Sequence, residues 1–352
     1  MSALPHARRQ MRVLDLVGVW ARGRRRRYCR VMKAVVYGRY GSAEVLRLDD
    51  VERPCPRGDQ VLIKVHSVSV NASDWETLRG KPLYARIGGP VRPRFRILGS
   101  DIAGRVEAIG PGVTRFRPGD EVFGDNLALM GGFAEYVCAR EKALAVKPAS
   151  MSFDEAAAIP QAGVIALQGI RRRGRVQPGQ QVLVNGAGGG AGMFAVQLAK
   201  LAGAHVTGVD NAGKLDFVQS LGADRVVDYS GTDFTRTREH YDLVLDLAAH
   251  RSAFAYRRAL AANGRYFYVG GSVPTLLQVL LVGPLIGRTA DKRVRLLVVQ
   301  PNPRDLVAVA ELCQAGTIVP VIDRRFSLSE VPDALRYLGE GRAKGKLVIT
   351  VD

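Results

Sequence analysis

The sequence predicts an α/β protein in two parts, a β-rich, barrel-like N-terminal half followed by a doubly wound parallel sheet. Three observations carry this expectation. Between residues 32 and about 150, short segments alternate apolar with polar or small residues and are bounded by Pro and Gly. Farther on, apolar runs recur with helix-length segments between several of them. At one junction, "VLVNGAGGGAGMFAVQLAKLAGAHVTGVD" (182–210) places five glycines in seven positions between a strand-like and a helix-like run.

In chain order, the strand-like segments of the first half are "QVLIKVHSVSVNASD" (60–74), "DIAGRVEAIGPGVTRF" (101–116), "GDEVFG" (119–124) and "FAEYVCA" (133–139). "SFDEAAAIPQAGVIALQGIRRRG" (152–174) switches to helical period, and Ser152 followed by Glu155 reads as a capping box. Strand-like runs follow at 181–185, 205–209, 225–228, 242–247, 265–269 and 293–299, with helix-length segments at 190–203, 213–222 and 252–262. A helix is expected over 302–318, and a helix then a strand over 328–351. The longest apolar run, "VPTLLQVLLVGPLIG" (273–287), is too short and too broken by Gly283 and Pro284 to span a bilayer. It reads as a buried helix or pocket wall, and no membrane insertion is expected.

Composition bounds the rest. The 352 residues suffice for two cores, and 47% hydrophobic content is ordinary for a globular chain. The four cysteines form no CxxC, which argues against a disulfide framework and for a reducing compartment. The five histidines form no metal-ligand pattern. Formal charge is +18, but residues 1–31 contribute +8 of it through nine arginines against one acid, Asp15. The remainder is spread among mixed charges without aromatic interleaving, so no specific nucleic-acid binding is expected. The extension is expected to be disordered and dispensable, with the fold and a candidate initiator at Met32; a transit peptide is the alternative for a eukaryotic source.

The glycine loop lies between strand and helix, where a dinucleotide-binding unit needs it. Gly186 and Gly188 suit a tight turn, Gly188–Gly190 would let backbone N–H groups approach a pyrophosphate, and Gly192 would let the helix pack closely. Asp210 ends the next strand, 22 residues after Gly188, where an acid can receive a ribose hydroxyl.

With "MKAVVYGRYGSAEVLRL", "VNASDWETLRG", "LGSDIAGRVEAIGPGVTRFRPGDEVFG", "GGFAEYV", "LGADRVVDY" and "GKLVITV" in order over residues 32–352, the chain resembles the medium-chain dehydrogenase/reductase superfamily. The resemblance is to its zinc-independent quinone oxidoreductase branch, zeta-crystallin-like or reticulon-interacting-protein-like. It implies a GroES-like catalytic domain over 32–155, a Rossmann dinucleotide-binding domain over 156–300, and a C-terminal return over 301–352 that completes the first. Zinc alcohol dehydrogenases carry a ligand Cys in the segment where Ser73 stands, and a His-Glu pair where this chain reads Ser100-Asp101. No zinc is therefore expected, and the chemistry left is hydride transfer from NAD(P)H to a quinone or an α,β-unsaturated carbonyl.

By the same resemblance, Gly188, Gly189, Gly190 and Ala191 line the pyrophosphate, and Asp210, Lys214 and Tyr229 surround the adenosine ribose. Leu247 and Ala248 flank the adenine side, and Tyr268, Val269, Gly270 and Gly271 approach the nicotinamide. Asn71 is the candidate polar group at the reacting end, with Asp74 and Tyr84 behind it. Structural roles stand beside these: Asn71 as a turn cap, Asp74 as the cap of the helix in "SDWETLRG", and Tyr84 as packing. Asp210 favours NADH over NADPH, while Lys214 and Arg225 pull toward a 2′-phosphate; a cap on the helix near Gly213 is the alternative role for Asp210. A homodimer and a cytoplasmic location are expected, with a mitochondrial one only for a eukaryotic source. A dinucleotide-binding scaffold or regulatory protein with little turnover is the competing function.

Overall fold

The computed structural model describes residues 31–289 and 291–351. The arginine-rich extension therefore lies outside the described residues, except that Val31 already belongs to the first strand. The first passage contains β1 (Val31–Val36), β2 (Arg47–Glu52), β3 (Gln60–Val70), β4 (Asp101–Ile109), β5 (Glu121–Asp125), β6 (Tyr136–Arg140) and β7 (Leu144–Val146). The second contains β8 (Gln181–Asn185), β9 (His205–Asp210), β10 (Arg225–Asp228), β11 (Tyr241–Asp246), β12 (Leu260–Tyr268) and β13 (Arg293–Leu296). The tail adds β14 (Ile322–Ser327) and β15 (Lys346–Thr350).

Strands β3–β7 and the two tail strands form one sheet, in the order β14-β15-β3-β4-β5-β7, with β6 also on β3, while β1 and β2 pair with each other apart from it. The chain therefore leaves this sheet, builds another, and returns to it. The second sheet is parallel throughout, in the order β10-β9-β8-β11-β12-β13. Order reverses between β8 and β11, and a crevice opens outside the carboxyl ends of strands at such a point. β8 and β9 are almost wholly buried because helices cover both faces, which is why they read as continuous apolar runs.

Several expected elements change in detail. The helical stretch at 152–174 splits into Phe153–Ala158 and Pro160–Leu167, because Pro160 has no N–H to continue the first helix. Its capping box is present, with Glu155 N donating to Ser152 Oγ at 3.2 Å and Ser152 N donating to the Glu155 carboxylate at 2.9 Å. The helix expected to 262 ends at Ala259, where Leu260 pairs with Tyr241 and starts β12. The apolar run near 280 forms a helix, Val273–Thr289, but not a buried one. Val279 and Ile286 face the core, whereas Leu277, Leu280, Leu281 and Leu285 are exposed. Among the described residues no helix is long and apolar enough to cross a membrane.

Candidate functional site

A cavity of about 880 Å³ runs between the two sheets, from Tyr229 and Leu247 at one end to Asn71 and Tyr84 at the other. Its middle is the glycine loop. Gly186 leaves β8 at φ +80°, a conformation that disfavours a side chain. Gly189 caps the helix Gly190–Leu201, so the amides of Gly190, Ala191 and Gly192 have no carbonyl one turn back to bond. A helix start of this kind, with its dipole, is suited to an anion. Gly192 is fixed by contact, since a Cβ there would sit 2.1 Å from Gly186 O.

The structure redistributes the roles expected of the loop. Gly189, Gly190 and Ala191 line the cavity. Gly188 is not on its wall: its N–H donates to Asp210 Oδ2 at 2.8 Å and its carbonyl accepts from Gly345 N at 2.9 Å. Nor does Gly188 adopt a left-handed turn; it is glycine because a Cβ would meet Lys214 Cδ at 2.9 Å. Asp210 Oδ1 accepts from Asn211 N at 2.9 Å, and Lys214 Nζ stands 3.7 Å from the same oxygen. Asp210 thus braces the loop while remaining on the cavity wall, as do Lys214, Tyr229, Leu247, Ala248, Tyr268, Val269 and Gly270. Gly271 pairs with Ala249 instead, where a Cβ would lie 2.3 Å from the Ala249 carbonyl oxygen. Arg225, expected within reach of a 2′-phosphate, forms an ion pair with Glu239 away from the cavity.

The other end is made of side chains. Asn71 precedes the helix Ala72–Arg79, and its Oδ1 accepts from Lys346 Nζ at 2.5 Å. That ammonium also donates to Val70 O at 3.4 Å and Asp101 Oδ2 at 3.5 Å, so its three protons have three acceptors. Asn71 Nδ2 donates to Ser100 Oγ at 3.3 Å. Asp101 is held further by Ser69 Oγ at 3.2 Å and by Gln161 N at 3.1 Å. Burial pushes the Asp101 carboxyl up and the Lys346 ammonium down, and their mutual attraction opposes both shifts.

Asp74 is wholly buried and off the cavity wall. Its carboxylate accepts from Asn71 N and Gly99 N, both at 2.9 Å, which makes it the capping residue weighed above. Burial lifts its pKa to about 7 against the pull of those two amides. Tyr84 does reach the cavity, with its hydroxyl 3.5 Å from Glu76 Oε2 and its pKa pushed by burial up to about 12.

Lys346 belongs to "GKLVITV", a strand pattern that carries no sign of a site role. Gly345, at φ +84°, lets the tail cross the glycine loop closely: a Cβ would meet Val321 O at 2.5 Å and Met193 Sδ at 3.0 Å. A Cβ on Gly190 would lie 2.7 Å from Lys346 Cδ, so the lysine stem fills the space that the glycine leaves. Gln161, Glu76 and Leu296 also line the cavity without having been expected there, and Leu276 brings the helix Val273–Thr289 onto its wall, one of the two readings of that apolar run. The residues at the zinc-ligand positions do not suit a metal. Ser73 Oγ donates to Gln161 Oε1 at 3.1 Å, Ser100 accepts from Asn71, and Asp101 faces an ammonium. Among the described residues no group of three or more His, Cys, Asp or Glu side chains is arranged to hold an ion.

Two family descriptions match the chain: "Alcohol dehydrogenase GroES-like domain" over residues 57–149 and "Zinc-binding dehydrogenase" over 221–349. A 2-methylene-furan-3-one reductase of Solanum lycopersicum is 36% identical over 90% of this chain and 79% of the relative. A chloroplastic quinone oxidoreductase of Triphysaria versicolor is 32% identical over 91% and 98%. Among solved structures, the quinone oxidoreductase from Coxiella burnetii superposes with a TM-score of 0.83 at 30% identity, over 92% of this chain and 100% of that one.

Proposed function

The chain belongs to the medium-chain dehydrogenase/reductase superfamily, on its quinone oxidoreductase branch, and from that membership we propose a metal-free hydride transfer whose acceptor is held by Asn71. It is an NAD(P)H-dependent reductase of quinones or α,β-unsaturated carbonyls. The observation that carries the mechanism is one continuous cavity. It joins the helix-start amides of the glycine loop to an amide side chain whose orientation a buried lysine dictates.

NAD(P)H supplies the hydride when bound. In this reading the amides of Gly190, Ala191 and Gly192 hold the pyrophosphate, Asp210 receives a ribose hydroxyl, and Tyr268, Val269 and Gly270 confine the nicotinamide end. Lys346 offers only donors, so the Asn71 atom facing it must be oxygen. The amide nitrogen is thereby turned toward Ser100, with one N–H left for the oxygen of an acceptor carbonyl. That hydrogen bond grows stronger as negative charge develops on the oxygen during hydride arrival. Tyr84 keeps its proton at working pH and stands beside Glu76, in place to return a proton to the product.

A modest NADH preference belongs to the same proposal. A 2′-phosphate would lie near the Asp210 carboxylate, but Lys214 at 3.7 Å offsets part of the repulsion. A homodimer and a cytoplasmic location complete the reading, and sedimentation velocity tests the former. The deciding experiment is steady-state oxidation of NADH and NADPH with a panel of quinones and enones, with and without chelator. Turnover that survives chelation supports the reading. Tight cofactor binding with no turnover on any acceptor would replace it with the scaffold role.

A further inference from the structure

A second concavity, of about 460 Å³, lies on the far side of the parallel sheet and is walled by Arg172, Arg173, Arg175, Arg265, Arg293 and Arg295. Strand alternation explains how they converge. Tyr266 and Val294 turn into the core that also holds Val279 and Ile286 of the helix Val273–Thr289. The alternate residues of β12 and β13 therefore turn to the opposite face, where Arg265 registers with Arg293 and Phe267 with Arg295. The π-helical segment Gln168–Arg173, which continues the helix Pro160–Leu167, and the residues just after it bring Arg172, Arg173 and Arg175 against that face. Phe267 and Leu297 supply apolar wall.

The charges of this wall are poorly balanced. Arg172 is matched by Asp305, with Nε at 3.1 Å and Nη2 at 2.9 Å from one carboxylate oxygen. Arg265 Nη1 donates to the Gly174 carbonyl at 2.7 Å, which brings no negative charge. Among the described residues, the guanidinium groups of Arg173, Arg175, Arg293 and Arg295 show no hydrogen bond or ion pair. Like charges opposed across neighbouring strands destabilise a sheet, and six arginines from three separate segments share one acid. Planar guanidinium forks facing a common concavity suit the tetrahedral oxygens of a phosphate, which they can grip in bidentate fashion.

We propose that this pocket binds a phosphate-bearing anion without displacing the cofactor. Leu296 walls both cavities, so the anion is either a free ligand or the charged tail of an acceptor whose reactive end enters the cleft. The test uses the full chain. NADH binding is first measured by fluorescence, and inorganic pyrophosphate is then titrated calorimetrically into protein saturated with NADH. Saturable binding is expected, weakened tenfold or more in R293Q/R295Q and in R173Q, with NADH affinity unchanged and thermal melting no lower than in wild type. Because these arginines are exposed, the variants should fold. Loss of the pyrophosphate signal on NADH saturation, or equal binding by wild type and both variants, would overturn the site. Steady-state kinetics then identify the source. A KM raised tenfold in the variants for crotonyl-coenzyme A, with methyl vinyl ketone unaffected, supports the tail; neither substrate affected, with pyrophosphate binding lost, supports the free ligand.

Discussion

The two ends of the main cavity are built from different materials. The end proposed for the cofactor is backbone: glycines, helix-start amides and one bracing carboxylate, all within residues 186–214 apart from the crossing tail. The acceptor end is a buried side-chain network, in which Asn71, Ser100, Asp101 and Lys346 come from segments up to 275 residues apart. A backbone cradle fails when a Cβ is added, because its tolerance is steric. A charge network fails when one partner is removed, because the remaining charge stays in a low-dielectric interior. Lys346 ties the two, its stem under Gly190 and its ammonium on Asn71.

The sharpest way to break the backbone end is Gly192→Ala. Its Cβ would fall 2.1 Å from a main-chain oxygen that has no soft route away. We expect loss of cofactor binding and destabilisation of about 2–4 kcal/mol, read by thermal melting and NADH titration. Gly189→Val separates the two effects: the nearest atom to a Cβ there is 3.4 Å away. It should melt near the wild-type temperature yet lose binding, and unchanged affinity would place the pyrophosphate elsewhere.

At the charged end, Lys346→Met is expected to lower kcat by roughly a hundredfold with NADH affinity nearly intact, close to the loss of one oriented transition-state donor. It should also make stability more dependent on pH. With its cation gone, buried Asp101 lies still further above the ordinary carboxylate range, so the folded state binds more protons than the unfolded one. Stability is then fully present below about pH 4 and falls as pH rises toward the raised folded pKa. Lys346→Met/Asp101→Asn should remove that slope; a slope that persists points to another group.

Asp74 makes a smaller prediction of the same sign. Its folded pKa of about 7 lies above the unfolded value. Wild-type stability should therefore decline between about pH 4 and pH 7, by at most about 1.4 kcal/mol per unit. Asp74→Asn should flatten this decline while costing about 1–2 kcal/mol, because one of the two amides it caps loses its acceptor. Smallest is Asp210→Ser, expected to shift kcat/KM toward NADPH by about tenfold; since Asp210 also braces Gly188, both cofactors should bind more weakly. An unmoved ratio would mean that Asp210 is only the brace.

The sequence by itself determined what depends on neighbours along the chain. Strand and helix periods implied the parallel sheet, and five closely spaced glycines before an apolar helix marked the turn, cap and helix start that line the cavity, because all three fall within one short segment. The break at Pro160 was also legible, though the helical period across 152–174 obscured it. Tertiary structure alone decided the rest. Gly188 differs from Gly189 in where its amide points and in how closely Lys214 packs on it, and no local pattern tells that Asp210 takes that amide. Lys346 lies far along the chain from Asn71 and meets it only because β15 pairs with β3, setting Leu347 opposite Val70. Contacts of that kind are fixed by strand register and burial, which act after distant segments have already packed together.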